Sequence, residues 1–252
     1  MRNAILITGF NGEIGRQTLH SLCKRKIHII ALDINKSDIK YDNVMFIKDS
    51  ILNQDVIKSI FNDFNIIEIY HFAALLSQSA NDNPELANKV NEEGSKAIIN
   101  TAMHYAQTNK SFIKIFFPSS IAVYGPRKLK NAKELDIMKP QTIYGCNKLA
   151  IEQYGTNKHE ESLKLGFGID FRCLRLPGII SPYTIPYGGT TDFAPQMLHA
   201  ACNNESFICK VDPMTILPFL GIENAVKAIR DIMSVENIDS NLRAFNVQEM
   251  TL

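Results

Sequence analysis

The segment "QTIYGCNKLAIEQ" places Tyr144 and Lys148 four residues apart. In a helix that spacing puts both side chains on one face. An ammonium beside a phenol favours the phenolate, so the pair can serve as a general base, the tyrosine drawn down from its reference of about 10. The same spacing also suits a surface pair. Upstream, "FFPSSIAVYG" offers Ser119 and Ser120 at the end of an apolar run. A hydroxyl there can hydrogen-bond the oxygen of an alcohol or ketone as charge develops on it.

A second group of residues has the pattern of a nucleotide site. "ILITGFNGEIG" carries Gly9, Gly12 and Gly15 at intervals of three, between a strand pattern and a helix pattern starting near Glu13. Glycines in that context allow a tight turn and the close approach of backbone amides to a pyrophosphate at a helix N-terminus. A turn with glycines for packing is the structural alternative. Asp33 ends the next strand pattern in "IIALDI". Its carboxylate can accept from an adenosine ribose and would repel a 2′-phosphate, which favours NAD over NADP. Asp49 in "KDSI" suits either an adenine amino group or a strand-end cap.

The elements that must position these groups follow from periodicity. Short apolar runs at 4–8, 27–32, 44–47, 66–72, 112–117 and 169–174 alternate with helical patterns at 12–25, 53–63, 84–107 and 142–164. Such alternation predicts a parallel sheet with helices on both faces. Within 84–107, Leu86, Val90, Ala97, Ile98 and Ala102 are expected to share one apolar face. After residue 176 proline and glycine crowd "LPGIISPYTIPYGGTTDFAP", and helices at 192–203 and 222–234 and a short strand at 243–247 follow. This divides the chain into a nucleotide-binding domain, 1–176, and a small substrate-side lobe, 177–252, interleaved with the sheet.

The balance of 27 Lys and Arg against 26 Asp and Glu, net charge +1, gives no electrostatic footprint for nucleic acid or an anionic membrane. Short basic runs such as Arg127-Lys128 read as solvated ends or loops. No apolar run reaches the ~20 residues of a membrane span. Cys23, Cys146, Cys173, Cys202 and Cys209 show neither a CxxC pair nor metal-ligand spacing, and read as reduced thiols. The expected compartment is the cytoplasm, or the mitochondrial matrix if a presequence has been removed. His71 reads as a packed structural histidine.

Taken in order, TGxxGxxG, Asp33, "HFAAL" at 71–75, Asn91 in "KVNEEG", "SSIAVYG" and YxxxK resemble the extended short-chain dehydrogenase/reductase superfamily over nearly the whole chain. The resemblance implies a Rossmann-type doubly wound parallel sheet with bound NAD. It implies that Tyr144 is the general acid/base, that Lys148 lowers its pKa and holds the nicotinamide ribose, and that Ser120 orients the reacting oxygen. It assigns NAD contacts to Gly9, Asn11, Gly12, Glu13, Ile14 and Gly15 in the loop, and to Asp33, Ile34, Asp49 and Ser50 at the next two strand ends. Ala73, Ala74 and Leu75 would line the cofactor with support from Asn91. Ser119, Tyr144, Lys148, Pro177, Ile179 and Ile180 would surround the nicotinamide end.

The proline- and glycine-rich segment is similar to that of the branch of this superfamily that oxidises L-threonine. That likeness implies oxidation of the C3 hydroxyl to 2-amino-3-oxobutanoate with hydride transfer to NAD. Ser77, Ser120, Tyr144, Gly178, Thr190 and Thr191 are the expected substrate contacts. Gly188 to Thr191 precede a helix, so their amides and hydroxyls can hold a carboxylate, or Thr191 or Asp192 can simply cap that helix. Ser77 can equally face water. Two other readings share most of these residues: a sugar-nucleotide epimerase/dehydratase that retains its NAD, and a non-catalytic NAD-binding sensor or scaffold. The paired base speaks against the second. The resemblance also implies a homodimer formed through the helices at 84–107 and 142–164, whose apolar residues equally suit packing onto the sheet; no set of metal-ligating residues stands out in the sequence, and no metal is expected. Resembling enzymes continue beyond "NVQEMTL" into further helical sequence, and a shortened C-terminus is expected to weaken substrate binding before NAD binding.

Overall fold

The computed structural model describes residues 1–126, 132–184, 188–238 and 241–251. The basic pair Arg127-Lys128 lies outside them. In chain order the elements are β1 (Arg2–Thr8), α1 (Glu13–Leu22), β2 (His28–Asp33), β3 (Val44–Lys48), α2 (Gln54–Asp63) and β4 (Phe64–His71). Next come α3 (Ser77–Asp82), α4 (Pro84–Ala87), a π-helical turn (Asn88–Gly94), α5 (Ser95–Asn109), β5 (Phe112–Ser120) and a 3-10 turn (Ile121–Tyr124). The remainder is α6 (Ile143–Leu165), β6 (Gly168–Leu176), β7 (Gly178–Ile180), α7 (Phe193–Cys202), β8 (Pro218–Gly221), α8 (Ile222–Ser234), β9 (Ala244–Asn246) and β10 (Met250–Thr251).

Among the described residues, seven strands form one sheet in the order β3-β2-β1-β4-β5-β6-β9, and each neighbouring pair is parallel. The chain winds outward from β1 in both directions, which makes the gap between β1 and β4 the switch point where such sheets bind ligands. The strands are apolar along both faces because both are covered. Ala4, Leu6, Ile30 and Leu32 pack under α2 and α5, while Ile5, Ile7, Ile29 and Ala31 pack under α1 and α8. The predicted Rossmann-type sheet is the one observed.

Differences from the sequence reading cluster where elements are short or irregular. The helix predicted over 84–107 stays helical through Asn109 but passes through the π-helical turn, which shifts the register of its apolar residues. Ile98 and Ala102 enter the core, Val90 packs against that core and also lines the cavity described below, and Leu86 lines the cavity. The helix α3 and a small three-stranded sheet, β10-β8-β7, were not anticipated. The strand expected at 243–247 joins the large sheet beside β6.

One clamp fixes α8 to the sheet. Arg172, fully buried on β6, donates to the backbone carbonyls of Ile232, Val235 and Glu236 and to the carboxylate of Asp170. Lys114 on β5 donates to the carbonyls of Met233 and Val235. Two cations thus meet the negative end of the helix dipole.

Candidate active site

At the carboxyl ends of the strands lies a cavity of about 1070 Å³, lined by the glycine loop, Asp33, Ala73 to Leu75, Ser119, Ser120, Tyr144, Lys148 and the segment 176–179. The loop is shaped by steric necessity at two glycines. Gly9 has φ +69°, and a methyl there would collide with the backbone nitrogen of Ala73. A methyl at Gly15 would collide with the carbonyl oxygen of Gly9. Gly12 differs, because its only neighbour for a methyl is the Gly9 carbonyl at 3.5 Å. Gly12 is also the N-cap of α1, and no side chain caps that helix. Its first-turn amides therefore open onto the cavity.

Asp33, nearly buried at the end of β2, accepts from the Asn11 amide at 3.0 Å and from the Asn35 amide at 2.9 Å. The carboxylate that would meet a ribose thereby also clasps the glycine loop. Asp49 lines the cavity and also acts as a local cap, accepting from the Ser50 amide at 2.7 Å and the Asn53 side chain at 3.2 Å. Asn91 does not line the cavity. Its amide pairs with both backbone groups of Leu75, at 2.7 and 3.0 Å, so it braces a wall. Ile180 is also outside the lining, on β7, where it pairs with Gly221; Ile179 faces in.

Tyr144 and Lys148 lie in the first two turns of α6, which starts at the N-cap Thr142. Lys148 is buried and donates from Nζ to the carbonyl oxygen of Pro118 at 2.7 Å. Its ammonium sits 5.4 Å from the Tyr144 ring centre and 4.5 Å from that of Phe117. The sequence reading has the lysine pulling the phenol down. In the structure burial governs both groups, pushing the Tyr144 phenol up to about 12 and lowering Lys148 to about 8 against the opposing pull of Cys173 and Glu152. Ser120 accepts from the Ala122 amide at 3.2 Å, and the Ser119 hydroxyl is buried without a partner among the described residues. His71 is the structural residue expected, set between the Thr8 hydroxyl at 2.6 Å and the Ser95 hydroxyl at 2.8 Å. Burial holds it neutral, at about 3.

The other end of the cavity is built by the segment after β7. Thr190, Thr191, Gly178 and Ser77 line it, and the Gln78 amide donates to the carbonyl of Gly188 at 2.9 Å, binding α3 to this segment. Helix capping by Asp192 does not occur: its carboxylate turns back to accept from the Gly189 amide at 2.7 Å, and no side chain caps α7.

Residues 5–247 match the model of the NAD dependent epimerase/dehydratase family. The chain belongs to that family. A bovine (Bos taurus) protein named mitochondrial L-threonine 3-dehydrogenase is 34% identical over 251 residues, covering 98% of this chain and 64% of the bovine one. An uncharacterized epimerase/dehydratase of Staphylococcus aureus (strain USA300) is 30% identical over 258 residues, covering 98% and 75%. A solved structure described as a monomeric L-threonine 3-dehydrogenase from a metagenome, in its apo form, superimposes with a TM-score of 0.85 at 31% identity, covering 98% of this chain and 77% of that one. The chain thus spans about two thirds of the bovine relative's length, 64%.

The residues present suit the dinucleotide that the family name specifies. Gly12 is free of any packing demand for glycine, so its missing side chain leaves room for a phosphate against uncapped amides. In this family member the cavity also has walls that the sequence did not disclose. Leu52, Leu86, Val90 and Leu217 are among them. Leu86 and Val90 carry a four-residue spacing that also describes core packing, and Leu217 stands in no motif. Glu13, which the family resemblance assigns to NAD, lines the cavity, and its carboxylate also accepts from the Ser181 hydroxyl at 2.6 Å and from that of Thr184.

Proposed function

We propose that this chain oxidises the C3 hydroxyl of L-threonine to 2-amino-3-oxobutanoate using NAD. The observation that carries this reading is the placing of Thr190, Thr191 and Asp192 in the cavity wall beside Gly178 and Ser77. Two threonine hydroxyls can donate to a carboxylate, and the Asp192 carboxylate beside them offers negative charge for an α-ammonium. An amino acid carries both groups. The bovine and metagenome relatives named as L-threonine 3-dehydrogenases support the same substrate.

In this reading the glycine loop and the first turn of α1 hold the NAD pyrophosphate, and Asp33 takes the adenosine ribose. NAD supplies a hydride acceptor when bound. Tyr144, as phenolate, takes the proton of the C3 hydroxyl, and Ser120 orients that oxygen by a hydrogen bond. Lys148 supplies positive charge beneath the phenolate, in a site where burial alone would keep the phenol protonated. Two copies are proposed to pair through the helical stretches 84–107 and 142–164; light scattering reads whether a dimer forms. The proposed compartment is the cytoplasm or the mitochondrial matrix.

The test is NADH formation from L-threonine and NAD, with L-serine, L-allo-threonine and UDP-glucose as comparisons. The expected result is turnover with L-threonine that Tyr144→Phe lowers by at least about a hundredfold. Isomerisation of a UDP-sugar without net NADH would favour the epimerase reading instead.

A further inference from the structure

Arg175 on β6 is outside the cavity lining and 3% exposed. Its guanidinium nevertheless joins the elements that carry the proposed catalytic groups. Nε and Nη2 donate to the carboxylate of Glu152 on α6 at 2.8 to 3.2 Å. Nη1 donates to the Tyr124 hydroxyl at 2.8 Å and to the Glu134 carbonyl at 2.9 Å. Tyr124 closes the 3-10 turn that begins after Ser120. Having accepted from Arg175, it passes its own proton toward Asn246 Oδ1 at 2.7 Å or the Lys133 carbonyl at 3.0 Å.

The consequence is geometric. Tyr144, Lys148 and Glu152 follow one another at intervals of four on α6, so they share a face of the helix. Ser120 and Tyr144 therefore stand on two elements secured to the same buried cation, and Gly145, next to Tyr144, has no room for a methyl against the Ala122 carbonyl. A buried ion pair adds little stability over packed apolar side chains, but the five fixed donors of a guanidinium define directions. Glu152 is also among the groups that support charge on Lys148.

We propose that Arg175, Glu152 and Tyr124 form a positioning unit that sets Ser120 relative to Tyr144 and Lys148, and so controls the rate of the proton-transfer step without contributing to binding. The inference rests on the reading of those three residues as catalytic. It is tested with Tyr124→Phe and Glu152→Gln, each alone and in a Ser120→Ala background, on whichever alcohol the wild type oxidises, L-threonine or UDP-glucose. Tyr124→Phe deletes one hydroxyl, so it decides the matter even if Glu152→Gln fails to fold. A misplacement of catalytic groups predicts a fall in kcat of about tenfold, with KM and NAD affinity held within about twofold. In the Ser120→Ala background the Tyr124→Phe penalty should shrink below about twofold, since the group it positions is gone. Equal penalties in both backgrounds, an unchanged kcat, or a loss matched by NAD affinity overturns the inference. A wild type inert on L-threonine but active on UDP-glucose overturns the substrate reading alone.

Discussion

Lys148 reaches from α6 to the carbonyl oxygen of Pro118 at 2.7 Å, so the cation beside Tyr144 is anchored to the strand that ends in Ser120. The position of the charge is thereby set by the sheet as well as by its own helix. Its titration then governs how activity and stability respond to pH.

The proposed oxidation requires the Tyr144 phenolate, and with the phenol at about 12 that form is scarce at neutral pH. The kcat/KM for NADH formation should rise from about pH 6, approaching tenfold per unit, and bend near pH 8 where Lys148 gives up its proton. A profile falling over that range would remove Tyr144 from the role of base. For stability the signs are separate. Lys148 is lowered in the folded state, so the unfolded chain binds the extra proton between about 8 and 10.5, and stability gains with pH across that window. Tyr144 is raised, so its contribution is lost as pH climbs from 10.0 to about 12. Denaturant midpoints across these ranges, compared with Lys148→Met and Tyr144→Phe, resolve the two.

Gly12 and Gly15 should part company on substitution. Gly15→Ala drives a methyl into the Gly9 carbonyl and should lower Tm by at least about 5 °C, a cost of a few kcal/mol in a chain of this size. Gly12→Ala meets only an ordinary contact at 3.5 Å. It should leave Tm within about 2 °C while weakening NAD at least tenfold, by roughly 1.4 kcal/mol or more. Thermal melts paired with NAD titration check both, and an undiminished NAD affinity in Gly12→Ala would place the pyrophosphate elsewhere.

Asp33→Ala removes the carboxylate proposed to hold the ribose and also the acceptor for the Asn11 and Asn35 amides. Hydrogen bonds to a charged group are worth roughly 1.5–3 kcal/mol, so NAD affinity should fall by about tenfold or more. The preference for NAD over NADP should narrow as the repulsion of a 2′-phosphate disappears. Competition titrations with both dinucleotides read this, and an unchanged ratio shows that Asp33 does not reach the ribose.

The central strands were legible because both faces of a parallel sheet are covered, which leaves continuous apolar runs such as "AILIT". The glycine loop, Asp33 and the YxxxK pair were legible because their spacing is local. Strands β7, β8 and β10, of three, four and two residues, are too short to show a period. The π-helical turn leaves no signature in the run 84–107 beyond Asn91 itself. The partnership of Glu152 with Arg175 bridges 23 positions between a helix and a strand, and nothing local marks it. Spacing brought Tyr144 and Lys148 together, but their burial, which sets both pKa values, belongs to the tertiary structure.

The clamp on α8 has a consequence for how this part of the chain can change. Arg172 and Lys114 grip the helix end only through main-chain carbonyls, which every residue type provides. The side chain at Val235 is therefore free to drift without loosening the grip, whereas the Glu236 carboxylate adds its own attraction for Lys114. At Arg172 itself no such freedom exists, for the identity of one strand residue guards the place of a helix end that the core holds from the other side through Ile232 and Met233.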